Sequence, residues 1–128
     1  MIKISNQILI NSVQVLSRLA ATELPIKLSY VLARNINKIE NELAIYNTER
    51  SKLIDKYSVK DKDGKVKIKD GQIDIQKKFI TKWNDEHEEL LCMENEIDLN
   101  LIEIDNLVDG CCNLTPNEIN SISYLIKE

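Results

Sequence analysis

The 128-residue sequence has few of the residues that build loops and ligand-binding motifs. It contains three Gly, two Pro, one Trp, one Phe and one His, so a loop-rich scaffold is not expected. No apolar run approaches the roughly 20 residues that a membrane-spanning helix needs. The first residues, from Met1 to Ile4, lack the basic and apolar regions of a signal peptide. We therefore expect a cytoplasmic protein with reduced cysteines and no membrane partner.

Length and composition predict one globular domain, because 43% of the residues are hydrophobic and 30% are charged. The net charge of −4 is unevenly distributed. Residues 1–69 carry 13 Lys or Arg and 7 Asp or Glu, whereas residues 70–128 carry 4 and 14. An acidic second half can pair with the basic first half, or it can bind a basic partner.

Helical periodicity begins after Ser5 and Asn6, whose side chains can accept hydrogen bonds from the first free N–H groups of a helix. The apolar positions that follow at helical spacing are Leu9, Val13, Leu16 and Ala20. This pattern predicts a first helix that ends near Ala21, because Pro25 disfavours helical backbone at the residue before it.

The strongest pattern lies between Pro25 and Tyr57, where seam positions alternate four and three residues apart. They are Leu32, Ile36, Ile39, Leu43, Tyr46, Arg50, Leu53 and Tyr57. This spacing is typical of a coiled-coil seam, in which a polar residue such as Arg50 usually sets register or oligomeric state. A binding cleft is the alternative reading of Arg50. A stripe of this length needs a partner helix or a second copy of the chain, so we expect a homo-oligomer, with a dimer favoured.

A β-hairpin is predicted around Asp70-Gly71, because Asp-Gly between alternating apolar residues is a strong signal for a two-residue turn. The turn would place three pairs of residues opposite each other: Ile68 and Ile73, Lys67 and Asp74, and Val66 and Ile75. A third helix, from about Gln76 to Met93, is predicted to run back antiparallel to the long one.

The C-terminal part is predicted to begin with an extended segment between Glu96 and Ile104, although a helix also fits its apolar spacing. A last helix is predicted from Pro116 to Lys127, because Thr115 and Glu118 form a capping-box pattern. The predicted fold is therefore mainly α with a small β component. A long antiparallel helical hairpin is capped by a two-stranded β-hairpin and flanked by N- and C-terminal helices. Its segments are residues 1–24, 25–93 and 94–128.

The residues that carry chemistry are few and form no recognisable motif. His87 lies near the apolar face of the third helix, so a structural role is favoured over catalysis. Cys92, Cys111 and Cys112 lack the paired spacing of zinc ligands, and adjacent cysteines point in different directions. The three glycines lie at expected turns and not in a phosphate-binding loop. We therefore predict no catalytic residue, no metal site, no cofactor and no enzymatic activity.

Acidic residues form the one surface feature that favours recognition. No Lys or Arg lies between Lys82 and Lys127. The acids predicted to bind a partner are Glu86, Glu88, Glu89, Glu94, Glu96, Asp98, Glu103 and Asp105. A solvated surface is the simpler interpretation of most charge runs. The five lysines between Lys60 and Lys69 lack the Arg and stacking aromatics of a nucleic-acid site, so direct nucleic-acid binding is not expected.

The order of these features resembles a family of small proteins of unknown function that phages and prophages of Gram-positive bacteria encode. The long helix begins within residues 24–30 and ends within residues 50–57. A turn at residues 62–64, the Gly-turned hairpin, the tail at 114–118 and a closing segment at 124–126 follow. The resemblance covers most of the chain and implies a phage gene product in the bacterial cytoplasm. It carries over no catalytic residue.

Two functions compete on these observations. The first is a non-enzymatic interaction protein that binds and modulates or inhibits a basic host protein through its acidic surface. Such a host protein could belong to a defence system, CRISPR-type or otherwise directed at nucleic acid. The alternative is a structural or assembly accessory of the phage particle that oligomerises through the seam.

Overall fold

The computed structural model describes residues 2–109 and 114–127. Within these ranges the helices are α1 (Asn6–Ala20), α2 (Ile26–Tyr57), α3 (Ile80–Cys92), α4 (Ile104–Asp109) and α5 (Pro116–Ser121). The strands are β1 (Ile2–Ser5), β2 (Ile68–Lys69), β3 (Gln72–Ile73), β4 (Glu94–Ile97), β5 (Ile102–Glu103) and β6 (Ile126–Lys127). Short 3₁₀ turns cover Lys77–Phe79 and Ser123–Leu125. The predicted class, mainly α with a small β component, is confirmed.

The chain divides into two compact units, and the division falls inside α2. The first unit comprises Met1–Leu43 and Glu94–Glu128, and the second comprises Ala44–Met93. The sequence had suggested one domain in which residues 25–93 form a single segment. The long helix instead contributes its first part to one unit and its last part to the other.

The first unit begins with a strand that the sequence did not reveal. β1 pairs antiparallel with β4, with Ile2 opposite Ile97 and Ser5 opposite Glu94. A four-residue strand acquires its stability from this distant pairing, so local periodicity does not report it. As predicted, α1 follows with Ser5 as its N-cap, and the Ser5 side chain accepts a hydrogen bond from the Ile8 N–H.

The extended interpretation of the segment after Glu96 is confirmed, since β4 and β5 occupy it and α4 begins only at Ile104. The predicted C-terminal helix begins correctly at Pro116, with the Thr115 and Glu118 capping box formed. The prediction that this helix continues to Lys127 was wrong, because α5 ends at Ser121. The chain there turns into β6, which pairs parallel with β5 and places Ile126 opposite Ile102. Tertiary pairing overrides local helical spacing at this end.

The hydrophobic core belongs entirely to the first unit. It joins α1, the first part of α2, the β1–β4 sheet and the C-terminal segments. Among the residues that the structure describes, its buried side chains are Ile4, Leu9, Val15, Leu16, Leu19, Leu28, Leu32, Ile39, Ile97, Leu99, Ile102, Leu107, Ile122 and Leu125. Two polar side chains, Ser12 and Asn35, are fully buried here. Ser12 Oγ is 2.7 Å from Tyr124 Oη and also donates to the Leu9 carbonyl.

The second unit contains the predicted β-hairpin. Ile68 lies opposite Ile73, as expected. Asp70 and Gly71 both have positive φ, at 53° and 77°. These values are the left-handed conformation that a two-residue hairpin turn requires, so the turn prediction is confirmed.

The base of this hairpin differs from the prediction that Val66 lies opposite Ile75. Val66 instead bridges Lys60, and Ile75 bridges Ser58. The chain leaving α2 enters between the two arms. The Val59 N–H donates to the Asp74 carbonyl at 2.7 Å, and the Val59 carbonyl accepts from the Lys67 N–H at 2.8 Å. This insertion satisfies backbone groups on both arms, which an isolated two-stranded hairpin would leave exposed.

The helical hairpin is present within the second unit. Tyr46 lies beside His87, and Tyr57 lies beside Phe79, so α3 runs antiparallel to the last part of α2. This arrangement matches the predicted return of the third helix antiparallel to the long one, along its last part. The first part of α2 instead supplies Leu28, Leu32 and Ile39 to the core of the first unit.

Candidate functional site

The eight acidic residues predicted to bind a partner are divided between the two units. The first unit carries five of them, here called the acidic tract: Glu94, Glu96, Asp98, Glu103 and Asp105. The second unit carries Glu86, Glu88 and Glu89 on α3. Seven of the eight are exposed, and Glu86 is half-buried.

Strand alternation explains why the acidic tract faces solvent at β4. Ile97 is 4% exposed and belongs to the core, as does Ile4 on β1. Since successive side chains on a strand point to opposite faces, Glu94 and Glu96 lie on the outer face. Glu96 is opposite Lys3. The inward-facing Asn95 and Ile97 therefore determine the exposure of Glu94 and Glu96.

Two side chains of α2 hold the segment that links β4 to β5. Asn35 Nδ2 donates to the Asn100 carbonyl at 2.9 Å, and the Asn100 N–H donates back to Asn35 Oδ1 at 3.0 Å. Lys38 Nζ donates to the Asp98 carbonyl at 2.6 Å. These bonds position the backbone at the centre of the acidic tract.

Sequence reasoning missed Asn35. Its signal was a polar residue next to Ile36, on the helix face that carries Leu32 and Ile39. A buried polar side chain is almost always hydrogen-bonded, so an Asn at such a position indicates a backbone segment packed against the helix. Periodicity alone did not indicate which segment that is.

Two lysines bring positive charge to the acidic tract: Lys38, which bonds the Asp98 carbonyl, and Lys3, which pairs with Glu96. Lys3 Nζ lies 3.9 Å from Glu96 Oε1, and both side chains are more than 60% exposed. An exposed pair of this kind is worth about 0–1 kcal/mol because water and salt screen it. Among the described residues the other four acids form no ion pair, although Glu103 lies opposite Lys127 in the β5–β6 pairing.

The eight seam positions of α2 all contact their own chain. Four are buried, Leu32, Ile39, Tyr46 and Tyr57. The other four are half-buried, Ile36, Leu43, Arg50 and Leu53. Those up to Leu43 belong to the first unit and pack in or against its core, whereas Tyr46 and Tyr57 contact α3 and the turn before it.

Around Arg50 the second unit contains a cluster of aromatic and titratable side chains. Tyr46 Oη lies 3.3 Å from His87 Nε2, and the His87 ring stacks on Trp83 with centroids 5.1 Å apart. Burial lowers the pKa of His87, and the positive charge of Arg50 lowers it further. Burial raises the pKa of Tyr46, and Arg50 partly offsets this change. Both rings are neutral at pH 7, which suits a packed cluster.

A pocket of about 280 Å³ opens between α2 and α3 of the second unit. Its lining residues are Glu49, Leu53, Lys56, Glu86, Glu89, Leu90 and Met93. Glu86 Oε2 is buried and has no hydrogen-bond partner among the described residues. An unsatisfied buried oxygen costs about 1–3 kcal/mol, and more when it is charged, so a ligand that satisfies it gains that free energy.

The cysteines and the histidine do not form a metal centre in the described part of the chain. The Cys92 thiol is exposed. Cys111 and Cys112 lie outside the described residues. Among residues 2–109 and 114–127, no group of three or more His, Cys, Asp or Glu side chains is arranged to hold a metal ion.

Comparisons with protein-family models, curated proteins and solved structures found no match to this chain. The resemblance to small phage proteins therefore stays a prediction. None of the described helices combines the length and apolar character that a membrane span requires.

Proposed function

We propose that this chain is a non-enzymatic interaction protein that binds and modulates or inhibits a bacterial host protein with a basic surface. In this proposal a phage or prophage encodes it, and it acts in the bacterial cytoplasm. A nucleic-acid-targeting defence system, CRISPR-type or other, is the partner class we favour. Proteins that bind nucleic acid have surfaces of dense positive charge, and an acidic surface of another protein can bind there.

The acidic tract is the observation that carries this proposal. Its five side chains are exposed, and only Glu96 forms an ion pair within the described chain. The backbone beneath them is fixed by Asn35 and Lys38, so the charges are presented on an ordered surface. Ordered charges of one sign steer a complementary partner and raise the association rate.

The alternative, assembly of a phage particle through coiled-coil oligomerisation, has less support. It needs an apolar seam that is free to pair with another copy. Every seam position from Leu32 to Tyr57 is at least half-buried by contacts within the chain. Dimerisation through another surface remains compatible with the proposed function.

The test begins with capture of partners from the lysate of a Gram-positive host, followed by mass spectrometry and purification of the captured protein. The decisive variant neutralises three acids of the tract, Glu94→Gln, Glu96→Gln and Asp98→Asn. A matched control removes the same charge from exposed acids outside it, Glu23→Gln, Glu40→Gln and Asp63→Asn. Dissociation constants are then measured for the purified partner.

We expect the tract variant to bind at least about tenfold more weakly, since losing several close charge pairs costs more than about 1.4 kcal/mol. The control variant should bind like the wild type. Equal binding by all three proteins would contradict the proposal. If both variants bound the partner equally weakly, the loss of affinity would follow from net charge alone, and the specific role of the tract would be contradicted.

A further inference from the structure

The pocket of the second unit combines an apolar surface with carboxylates at its edge. Leu53, Leu90 and Met93 supply the apolar part, and Leu90 is buried. On α3, Glu86 lies about one helical turn before Leu90, and Glu89 directly precedes Leu90. Both glutamates line the same space. Its volume of about 280 Å³ is below the range of about 300–1,000 Å³ typical of small-molecule sites. This size suits one side chain of a partner.

The polar groups around the pocket leave one oxygen of Glu86 without a hydrogen bond among the described residues. Glu49 is already paired with Lys52 at 3.0 Å. Lys56 also lines the pocket and interacts electrostatically with Glu86, but it forms no ion pair with Glu86 among the described residues, and its ammonium lies over the Tyr57 ring, 5.0 Å from the centroid. No ion pair or hydrogen bond reaches Glu86 Oε2 among the described residues. A carboxylate oxygen that is buried and unpartnered favours a ligand that brings hydrogen-bond donors and positive charge.

We propose that this pocket receives an arginine side chain of the partner protein. The aliphatic stem of arginine can lie on Leu53, Leu90 and Met93, while its guanidinium donates to Glu86 and Glu89. Its five donors in a planar fork can bond two carboxylates at once, which a lysine ammonium does less well. The inference rests on the proposed function for its partner class, but it concerns a second site in a different unit.

The test uses a small probe and not the partner. N-acetyl-arginine amide is titrated into the ¹⁵N-labelled full chain, and amide chemical shifts are followed by NMR. N-acetyl-citrulline amide, which has the same shape without the charge, is the control ligand. We expect saturable shifts centred on Leu53, Glu86 and Leu90 with the arginine probe, and much smaller shifts with citrulline. Shifts of equal size with both probes, or shifts elsewhere, would overturn the proposal.

Three variants sharpen the result. Glu86→Gln should weaken arginine binding by about tenfold, because a hydrogen bond to a charged group is lost. Glu88→Gln, on an exposed position of the same helix that does not line the pocket, should bind like the wild type. Lys56→Gln removes a competing cation and should strengthen binding. If Glu86→Gln fails to fold, Glu89→Gln takes its place with the same expectation, and unchanged binding by the variant used contradicts the inference.

The outcome is independent of the acidic tract. One result is that the arginine probe fails to bind while neutralising Glu94, Glu96 and Asp98 still abolishes partner binding. That result would contradict the arginine site and support the proposed function. Arginine binding that depends on Glu86, with partner binding insensitive to the tract, would retain the pocket and remove the proposed role of the tract.

Discussion

The two units bury very different amounts of apolar side chain. In the described part of the chain, fourteen buried hydrophobic residues form the core of the first unit, whereas the second unit buries only the hydrophobic residues Tyr46, Ile54, Tyr57 and Leu90. The second unit instead relies on backbone hydrogen bonds around residues 58–76 and on the ring contacts of α3. A region with fewer buried apolar contacts opens locally at a lower free energy. We infer that the first unit supplies most of the stability.

The largest expected effect comes from truncating the core of the first unit. Leu9→Ala should lower the free energy of unfolding by about 2–5 kcal/mol, since Leu9 is 0% exposed and a cavity would remain. Ile8→Ala on the same helix is the matched control, because Ile8 is 45% exposed. Urea unfolding measures both. A Leu9→Ala variant as stable as Ile8→Ala would break the comparison.

A smaller effect is expected at Asn35, which links α2 to the segment carrying the acidic tract. Asn35→Ala should lower the free energy of unfolding by about 1–3 kcal/mol, because the two hydrogen bonds between the buried Asn35 side chain and Asn100 are lost. It should also weaken partner binding, since the backbone at Asn100, two residues after Asp98, is no longer held. Asn37→Ala, an exposed position of the same helix, should change neither quantity. Urea unfolding and affinity measurements with the purified partner test both expectations.

In the second unit, substitution at the hairpin tip should lower the free energy of unfolding by about 1–2 kcal/mol. Gly71→Ala forces a Cβ into the left-handed region at φ 77°, where L-residues are disfavoured by about 1–2 kcal/mol. Asp70→Gly should cost less, because glycine accepts the φ of 53° without strain and only the unfolded chain gains freedom. Thermal unfolding compares them. A larger loss for Asp70→Gly than for Gly71→Ala would contradict the turn assignment.

The smallest expected effects are on the pH dependence of stability, to which each unit contributes in a different pH range. The pKa of His87 is lowered in the folded state, so the unfolded chain binds its proton more readily. Stability should therefore fall as the pH drops through 6.5, the ordinary value for His, and His87→Gln should flatten this dependence. Urea unfolding at about pH 7.5 and pH 5.5 brackets that value. A pH dependence unchanged in His87→Gln would contradict it.

Glu118 gives the corresponding signal for the first unit at lower pH. A hydrogen bond from the Thr115 N–H lowers the pKa of Glu118, and Arg18 lowers it further. The stability that Glu118 contributes through this lowered pKa is present above the ordinary value of 4.5 and is lost as the pH falls through the lowered pKa. Glu118→Gln should therefore lower the stability by a constant amount above that ordinary value, and should change its pH dependence only below the window in which His87 acts.

Local signals predicted the elements that depend on neighbouring residues. The Ser5 cap, the span of α2 and the Asp70-Gly71 turn were all evident from the sequence. β1 and β6 were not, because each forms only by pairing with a strand distant in the chain. The insertion at Val59 was missed for the same reason.

The candidate site was predicted only in part. The acids were named from the absence of Lys and Arg, a property of the sequence alone. Their division between two units falls between Met93 and Glu94, where the chain leaves α3 and enters β4. Because β4 pairs with the distant β1, periodicity does not mark that position. The pocket around Glu86 likewise requires the register of α2 against α3, which single-sequence spacing leaves open.

The salt dependence of partner affinity tests the central claim most directly. Dissociation constants for the purified partner are measured between about 50 mM and 500 mM salt, a range over which screening shortens the reach of exposed charges severalfold. We predict that wild-type affinity falls steeply with salt and that the variant neutralised at Glu94, Glu96 and Asp98 shows a clearly shallower slope. Salt-independent binding, or the same slope in both proteins, would contradict recognition through the acidic tract.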